Sequence, residues 1–379
     1  MPINNLNNPF IVSKQIPDEL FCDRKEETAT LIKQIANGKD VVLVSPRRMG
    51  KTGLIHHLFR QPEISDNYYT FFVDIYAATS LREMCHSLGK TVFESLKSRK
   101  AKVRDAFFQT IKTLRAGFKI DSVTGEPTFE LSIGAISEPE TTLEEIVRFL
   151  EQADKRCIVA IDEFQQIADF QEKRPEAVLR GIIQQCANTS FIFSGSKQHS
   201  IAQMFQSKSR PFYQSAQLLD LKPLNRDTYS DFATRLFNRY SKTLDREVVE
   251  QVYDRFDGST WYLQSMMNEL FAITPAGGTC HIDKIDTALA NIIDIQEGTY
   301  TSQLVLMPPR QKQLLQAIAH EGFVKSATSS AFVKKHSLDS ASSVQSALKG
   351  LNQKEIIAAN VKGIYIQDFF FAQWLKNTY

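Results

Sequence analysis

The chain has 379 residues, of which 42% are hydrophobic and 23% are charged. That length suits two or three domains, and the composition is that of a globular protein and excludes a fibrous or largely disordered chain. A net charge of +2 would not by itself attract a polyanion, and the five cysteines form no C-x-x-C pair that would indicate a metal knuckle or a redox couple.

The longest apolar runs, at residues 41–44 and 369–372, are far shorter than the roughly 18 to 20 residues of a membrane-spanning helix. Residues 1–8 have neither the basic start nor the apolar stretch of a secretory signal. We therefore expect a cytoplasmic protein with no membrane partner.

Residues 1–223 alternate short β-branched runs with longer helical periodicity, which is typical of a parallel α/β sheet. A helix is predicted before the first strand, with Asp23 as an acidic N-cap, Glu26 three residues later and Gly38 at its end. Residues 80–155 are predicted to be a mostly helical insertion with a short strand at 129–133. The five core strands are predicted at residues 41–45, 69–75, 157–161, 191–195 and 217–221.

A phosphate-binding loop is predicted between the first strand and an amphipathic helix, which is the context that a Walker A motif requires. Backbone N–H groups would surround the phosphates of ATP, with Lys51 at the β and γ phosphates and the Thr52 hydroxyl on Mg²⁺. Ser45 takes the place of the motif's first glycine, and it can serve there if its φ stays negative. The alternative is a basic turn before a helix. The predicted nucleotide-binding residues are Ser45, Pro46, Arg47, Arg48, Met49, Gly50, Lys51, Thr52 and Gly53.

Two adjacent carboxylates, Asp162 and Glu163, follow the apolar strand at 157–161. This is the form of a Walker B motif, in which Asp162 would hold Mg²⁺ through its water shell and Glu163 would orient and deprotonate the attacking water. Neighbouring residues of a strand point to opposite faces, so the two side chains can share one site only where the strand ends. Taken alone, the pair could also mark an acidic helix N-terminus.

The strand at 191–195 is followed by small hydroxyl residues instead of carboxylates. In an additional-strand ATPase, this strand places a polar residue between the two Walker motifs, where it senses the γ phosphate. Ser194 or Ser196 is the predicted sensor, and a turn-forming Ser-Gly-Ser sequence is the alternative.

The rest of the chain is predicted to form a helical lid at residues 224–304 and a winged helix at residues 305–379. The winged-helix segment has nine Lys or Arg residues against four Asp or Glu residues, a local net charge of +5. Its first two helices are predicted at 309–320 and 329–336, and a third, capped by Asp339 or Ser340, runs through residue 351. Its hairpin strands are predicted at 356–359 and 364–367. The polar side chains that could contact DNA phosphates include no arginine for bidentate guanine reading, and they are Ser342, Ser343, Gln345, Ser346, Lys349 and, on the wing, Lys362.

Over nearly its whole length the chain resembles the archaeal-type ATPases, prokaryotic members of the STAND and AAA+ group related to origin-recognition ATPases. Residues 21–26 resemble the family's F-x-x-R-x-x-E box, and residues 45–54 resemble its P-R-R-x-G-K-T-x-L loop. Residues 161–165 resemble its D-E-F-Q Walker B motif, and residues 368–375 resemble the aromatic tail of its winged helix.

The residue pattern and this resemblance together predict an α/β P-loop NTPase with a parallel five-stranded sheet of the additional-strand type. A helical lid and a C-terminal winged helix-turn-helix complete the predicted fold, and ATP and Mg²⁺ are the expected ligands. The resemblance also implies an adenine pocket formed by Phe10, Phe21 and Arg24. The alternative for the two aromatic side chains is packing in the core.

Two further expectations come from the resemblance. Residues 256–263 resemble the G-G-x-P-x-Y-L stretch by which the family's lid helix faces the nucleotide, with Ser259 and Thr260 in place of the second glycine and the proline. Arg210 lies where such proteins can carry an arginine that contacts phosphate in cis or from a neighbouring subunit, and the alternative is an ordinary surface arginine.

Three functions fit the sequence. The first is a Mg²⁺-dependent ATP-binding and ATP-hydrolysing switch, with slow turnover, whose lid and winged helix change arrangement with nucleotide state. The second is a DNA-binding regulator or replication-associated factor that uses ATP as a structural ligand and binds double-stranded DNA through residues 305–379. The third is a nucleotide-gated scaffold that binds a protein partner or assembles with itself.

Overall fold

A computed structural model describes residues 8–96, 107, 109–114, 118–120, 127–129 and 136–379. The described chain divides into two compact units. The first, here called the sheet unit, comprises Ser13–Thr228 and Ser259–Trp261. The second, the helical unit, comprises Tyr229–Gly258, Tyr262–Tyr379 and the described residues of Met1–Val12.

The strands of the sheet unit are β1 (Val41–Val44), β2 (Tyr68–Asp74), β3 (Phe118–Ile120), β4 (Pro127–Phe129), β5 (Arg156–Asp162), β6 (Thr189–Gly195) and β7 (Gln217–Asp220). Five of them form a parallel sheet in the order β2-β5-β6-β1-β7. Strand β6 therefore lies between β5, which carries the Walker B motif, and β1, which precedes the Walker A loop. The predicted five-stranded sheet of the additional-strand type is confirmed, with strand ends shifted by one or two residues.

Helices cover both faces of this sheet. Successive strand residues alternate between the faces, and the strands carry apolar side chains on both of them. Val41 and Leu43 belong to the apolar cluster that α1 and α2 share, whereas Val42 and Val44 belong to the larger cluster on the other face. The helices of the sheet unit are α1 (Lys25–Ala36), α2 (Lys51–Arg60), α3 (Pro62–Ser65), α4 (Leu81–Leu96), α5 (Pro139–Glu151), α6 (Pro175–Ile183) and α7 (Gln198–Gln206).

The predicted acidic N-cap of α1 is wrong. Arg24, not Asp23, is the N-cap residue, and it makes no side-chain capping bond. Both residues have positive φ, 60° for Asp23 and 65° for Arg24, so the chain turns sharply before the helix. The Asp23 carboxylate instead accepts a hydrogen bond from the Asn225 backbone N–H at 3.2 Å.

The strand predicted at 129–133 differs from the structure at its start. Strand β4 ends at Phe129 and pairs antiparallel with β3. Residues 130–135 lie outside the described residues.

The remaining elements belong mostly to the helical unit. Two of its strands, β8 and β9, form a short parallel pair that the helical pattern of residues 224–304 did not predict, because two residues are too few for a recognisable alternation. The elements are α8 (Arg226–Arg239), β8 (Thr243–Leu244), α9 (Arg246–Arg255), α10 (Thr260–Ile273), β9 (Thr279–Cys280), α11 (Lys284–Val305), α12 (Pro309–Glu321), α13 (Ser330–Lys335), α14 (Ala341–Gln353), β10 (Ile357–Asn360), β11 (Gly363–Ile366) and α15 (Phe369–Thr378).

The predicted winged helix is confirmed as three helices, α12 to α14, followed by the antiparallel hairpin of β10 and β11. Ser329 and Ser340 cap α13 and α14 by accepting backbone N–H bonds, so Ser340 and not Asp339 is the cap of α14. Gly322 ends α12 with a φ of 73°, a conformation that glycine adopts without strain. Among the described residues, no helix has both the length and the apolar character needed to span a bilayer.

Candidate nucleotide site

Two residues in the left-handed region shape the loop between β1 and α2, Arg48 with a φ of 68° and Gly50 with a φ of 86°. Glycine takes this conformation freely, whereas most other residues would be strained by about 1 to 2 kcal/mol. Gly50 is the N-cap of α2, so the unpaired N–H groups of the first helical turn open onto the loop, as in phosphate-binding sites. Ser45 is not among the described residues with positive φ, so the condition for a serine at the motif's first position is met.

Lys51, the first residue of α2, is folded back onto the loop and is 7% exposed. Its Nζ donates to the Ser45 carbonyl at 3.0 Å, to the Ser45 hydroxyl at 3.1 Å and to the Pro46 carbonyl at 3.1 Å. Burial lowers the pKa of Lys51 to about 8, and Arg47 also lowers it, against the opposing effect of the two Walker B carboxylates. Because these three acceptors are neutral, the buried Lys51 ammonium is well suited to bind a phosphate anion.

A direct hydrogen bond joins the two Walker motifs. Thr52 Oγ1 donates to Asp162 Oδ2 at 2.8 Å, and Asp162 is the last residue of β5. Hydroxyl and carboxylate oxygens are ligands that Mg²⁺ prefers, and the ion commonly completes its shell with waters and substrate phosphates. Thr52 and Asp162 therefore fit Mg²⁺ beside a nucleotide. No group of three or more His, Cys, Asp or Glu side chains that could hold a metal occurs in the described part of the chain.

Glu163 leaves the strand geometry with a φ of 55°, directly after the last residue of β5. Its backbone N–H donates to Asp162 Oδ1 at 3.0 Å. Its Oε2 accepts one hydrogen bond from the Ser196 hydroxyl at 2.9 Å and another from the side-chain amide of Gln165. The structure thus brings Glu163 and Ser196 together at the carboxyl ends of two adjacent strands.

The two candidate sensors differ in their surroundings. Ser196 bridges two site residues, because its hydroxyl accepts from Arg47 Nε at 3.1 Å and donates to Glu163. Ser194 is fully buried within β6, and its hydroxyl has no hydrogen-bond partner among the described residues. Ser196 is therefore the candidate that contacts the Walker motifs.

Arg24 is predicted to line the adenine pocket, and in the structure it holds the loop backbone. Its guanidinium is almost fully buried and donates to the Met49 carbonyl at 3.2 Å and to the Lys222 carbonyl at 2.6 Å. It also pairs with Glu27 at 2.7 Å. These contacts fix the Walker A loop against the segment that follows β7.

The two aromatic residues of the predicted adenine pocket lie in different units. Phe21 stacks on His57, with ring centroids 4.1 Å apart, and its ring lies 3.7 Å from the point where a Cβ on Gly53 would be. Phe10 is fully buried in the helical unit among three aromatic rings, those of Phe232, Phe237 and Phe271. The packing of Phe10 is that of a core residue, and the adenine pocket stays a prediction.

Arg210 forms an ion pair with Glu176 within the sheet unit, with Nη2 and Oε1 2.6 Å apart. Burial raises the pKa of Glu176, and Arg210 opposes that effect. A phosphate contact by Arg210 stays a prediction.

Ser259–Trp261 contact the Walker A loop from the start of α10. The Thr260 hydroxyl donates to the Met49 carbonyl at 3.1 Å, and the Trp261 backbone N–H donates to the Arg48 carbonyl at 3.0 Å. The Arg48 guanidinium lies 4.2 Å from the centre of the Trp261 ring, within range of a cation–π contact. Thr260, which replaces the proline of the family's stretch, thus contributes a hydroxyl that a proline could not. The sequence showed this replacement but not the carbonyl that the hydroxyl contacts.

Sequence reasoning missed Asp74, the last residue of β2. It lies in register beside Asp162 and accepts the Tyr76 backbone N–H at 2.8 Å. Burial raises the pKa of Asp74, and Asp162 and Glu163 raise it further, while the hydrogen bond from Tyr76 lowers it. An apolar strand that ends in aspartate was visible in the sequence, but only the strand order shows that β2 borders the Walker B strand.

Comparisons with known proteins identify the family and the fold of this chain. A family described as an ATPase domain predominantly from Archaea matches residues 21–266, and one described as a probable winged helix domain matches residues 298–377. No curated protein matches the sequence.

Solved structures with the same fold cover nearly the whole chain. The Walker-type ATPase PAby2304 of Pyrococcus abyssi is 18% identical, with a TM-score of 0.65 over 97% of this chain and 99% of that one. The Aeropyrum pernix ORC1 protein in complex with DNA is 12% identical, with a TM-score of 0.54 over 98% and 97%. The Aeropyrum pernix ORC2 protein, in its ADPNP-ADP complexes, is 11% identical, with a TM-score of 0.57 over 97% and 96%. At these identities the likeness shows the fold alone.

Proposed function

Because this chain belongs to the family of ATPase domains found predominantly in Archaea, we propose that it binds Mg²⁺-ATP and hydrolyses it slowly, as a molecular switch that acts through its winged helix. The observation that carries the proposal is the hydrogen bond between Thr52 and Asp162, which joins the Walker A and Walker B motifs across 110 residues. The proposal also rests on Lys51, whose buried ammonium is held by loop acceptors that a phosphate can replace.

The loop residues would bind and orient the nucleotide. The N–H groups at the start of α2 and the Lys51 ammonium would hold the phosphates, and Thr52 and Asp162 would hold Mg²⁺. Bound Mg²⁺ would supply positive charge beside the phosphate oxygens. Arg24 and Thr260 keep the loop in shape for this task, since both donate to the Met49 carbonyl.

Glu163 would act as the general base. Its carboxylate would take the proton of a water molecule as the water oxygen bonds to the γ phosphorus and the bond from that phosphorus to the leaving oxygen of ADP breaks. The Ser196 hydroxyl, which is hydrogen-bonded to both Glu163 and Arg47, would pass a change at the γ phosphate to the base.

The decisive experiment compares Mg²⁺-ATP binding and turnover in wild type and Lys51→Ala, with and without duplex DNA at low salt. We expect Lys51→Ala to lose turnover by at least about 100-fold, because the ammonium contact is made with phosphate oxygens that carry the transition-state charge. The matched control is Lys39→Ala, at an exposed lysine before β1, which should behave as wild type. Turnover that survives in Lys51→Ala would contradict the assignment of this loop, and tight binding without turnover in every condition would reduce the protein to a nucleotide-held switch.

Double-stranded DNA binding is the second candidate function. It is supported by the net charge of +5 on residues 305–379 and by the exposed Gln345, Ser346 and Lys349 on α14. The ORC1 protein of Aeropyrum pernix, which shares this fold, was solved in complex with DNA. The wing lysine is engaged within the helical unit, because Lys362 Nζ lies 2.9 Å and 3.0 Å from the two carboxylate oxygens of Asp257.

If DNA binding uses the wing, Asp257→Asn should tighten it about two- to threefold, because the variant frees the Lys362 ammonium for a phosphate. Lys362→Ala and Lys349→Ala should each weaken DNA binding. Each should also reduce, by about 1, the slope of the logarithm of the binding constant against the logarithm of the salt concentration. Fluorescence anisotropy with a labelled duplex at low and at physiological salt measures both effects. Asp294→Asn, at an exposed position of α11, is the control that removes the same charge. Equal effects of the two aspartate substitutions would mean that only net charge matters.

A further inference from the structure

The Glu163 carboxylate is held at one of its two oxygens. Oε2 accepts from the Ser196 hydroxyl, from the Ser196 backbone N–H at 3.4 Å and from the Gln165 side-chain amide. An ionised carboxylate only accepts hydrogen bonds, so the NH₂ group of Gln165, not its carbonyl oxygen, must face Glu163. With all three of these donors on Oε2, the other oxygen, Oε1, is the one that the described residues leave for a water molecule.

The Gln165 side chain is enclosed by the protein, with 3% of the residue exposed. Phe164, just before it, is fully buried and packs on the rings of Phe193, Phe205 and Phe212, which anchors the backbone of this segment. The buried packing of Phe164 therefore holds the adjacent Gln165 in position to donate to Glu163.

This arrangement has a cost that packing alone does not explain. Gln165 Oε1 is buried and has no hydrogen-bond partner among the described residues. A buried polar atom without a partner destabilises the folded protein, and an apolar side chain of the same size would avoid that cost. A buried glutamine that tolerates this cost indicates that its NH₂ group is needed.

Gly195 leaves the space that the Gln165 side chain occupies. A Cβ placed on Gly195 would lie 2.1 Å from Gln165 Oε1 and 2.9 Å from Ile201 Cδ1, both closer than real Cβ contacts. Gly195, the last residue of β6, is thus required for the Gln165 side chain to fit.

We propose that Gln165 is the positioning residue of the general base, and that Gly195 supports this role by the space it leaves, so that Glu163 is held through Oε2 and directs Oε1 at the attacking water. This inference rests on the proposed hydrolysis and adds to it. In this role Gln165 acts through its hydrogen bond to Glu163.

The first test replaces Gln165 with methionine, which keeps the length of the side chain and removes the donor. We expect kcat to fall about 10- to 100-fold with the affinity for Mg²⁺-ATP unchanged within about twofold, because the lost bond orients the base and does not bind nucleotide. Gln166→Met is the matched control. The adjacent, half-buried Gln166 donates to the Tyr76 carbonyl at 2.9 Å, so this variant should keep full turnover. Thermal unfolding checks that both variants are folded.

The second test is a double-mutant cycle with Gly195→Ala. Alone, Gly195→Ala should lower kcat as Gln165→Met does, because the added methyl group displaces the amide. In a Gln165→Ala background the same methyl group should cost little further activity, which makes the two effects strongly non-additive. Rescue of Gly195→Ala by Ile201→Val instead would show that crowding on Ile201 is responsible, and would overturn the role of Gly195.

The outcomes separate this inference from the function on which it rests. If wild type turns over ATP and Gln165→Met keeps kcat within about twofold, or changes only KM, the positioning role is overturned and the hydrolysis stands. If wild type shows no turnover above Lys51→Ala, the proposed hydrolysis fails and the inference fails with it.

Discussion

Glu163→Gln should reduce kcat by roughly 10²- to 10⁴-fold while Mg²⁺-ATP affinity stays within about threefold of wild type. Glutamine has the shape of glutamate and its side-chain oxygen can still accept the Ser196 hydroxyl, so the geometry at the end of β5 should persist. What the variant lacks is a group that takes the proton of the attacking water. Single-turnover hydrolysis and fluorescent-nucleotide titration measure the two quantities separately.

The control for Glu163→Gln is Glu26→Gln, at an exposed glutamate in the first turn of α1. This substitution removes the same charge at a position distant in sequence from the Walker B strand. It should leave kcat and Mg²⁺-ATP affinity unchanged. Unaltered turnover in Glu163→Gln would remove Glu163 from the role of general base and would direct the search to Asp74, the neighbouring carboxylate on β2.

Lys51→Met should abolish Mg²⁺-ATP binding and yet stabilise the nucleotide-free protein at pH 7. Lys51 has a pKa of about 8 in the folded protein against 10.5 as its ordinary value. Keeping it charged at pH 7 therefore costs folding on the order of 3 kcal/mol. Methionine avoids that cost and also loses the hydrogen bonds of Nζ to the loop, so a net gain of about 1 to 2 kcal/mol in the free energy of unfolding is expected.

The pH dependence gives this prediction its sign. The folded-state pKa is below the unfolded value, so between pH 8 and pH 10.5 the unfolded chain binds more protons than the folded one at Lys51. The free energy of unfolding of wild type therefore rises with pH through this window. The difference in stability between wild type and Lys51→Met should shrink accordingly. Urea unfolding without nucleotide at pH 7 and near pH 10 tests this, with Lys39→Met as the control. A Lys51→Met protein that is less stable than wild type at pH 7 would contradict it.

The parts of the site that could be predicted from the sequence are those whose chemistry is local. A strand, a turn and a helix within about twenty residues define the Walker A loop, and β5 with the two residues after its core defines Walker B. The five strands could be found because their apolar runs are bounded by turn residues, and the recognised motifs order the central strands.

The contacts that could not be predicted join segments far apart in the chain. Thr260 reaches Met49 across 211 residues, and no local pattern indicates which carbonyl its hydroxyl meets. Ser194 and Ser196 are indistinguishable as small hydroxyl residues, and only the end of β6 and the position of Glu163 separate them. Asp23 resembled a helix cap because its spacing to Glu26 fits a capping box, but two left-handed residues turned its carboxylate away from the helix.

The three residues Ser259–Trp261 have a consequence for dissection of the molecule. They are part of the same compact unit as the Walker A loop, although the thirty residues before them belong to the other unit. The sheet unit is therefore discontinuous in sequence, and no single cut of the chain releases it whole. A fragment that stops at Thr228 would keep every residue of both Walker motifs but would lose the Thr260 and Trp261 donors to the Met49 and Arg48 carbonyls. Weak nucleotide binding by such a fragment would then reflect the loss of these two hydrogen bonds to the Walker A loop, not a defect in either Walker motif.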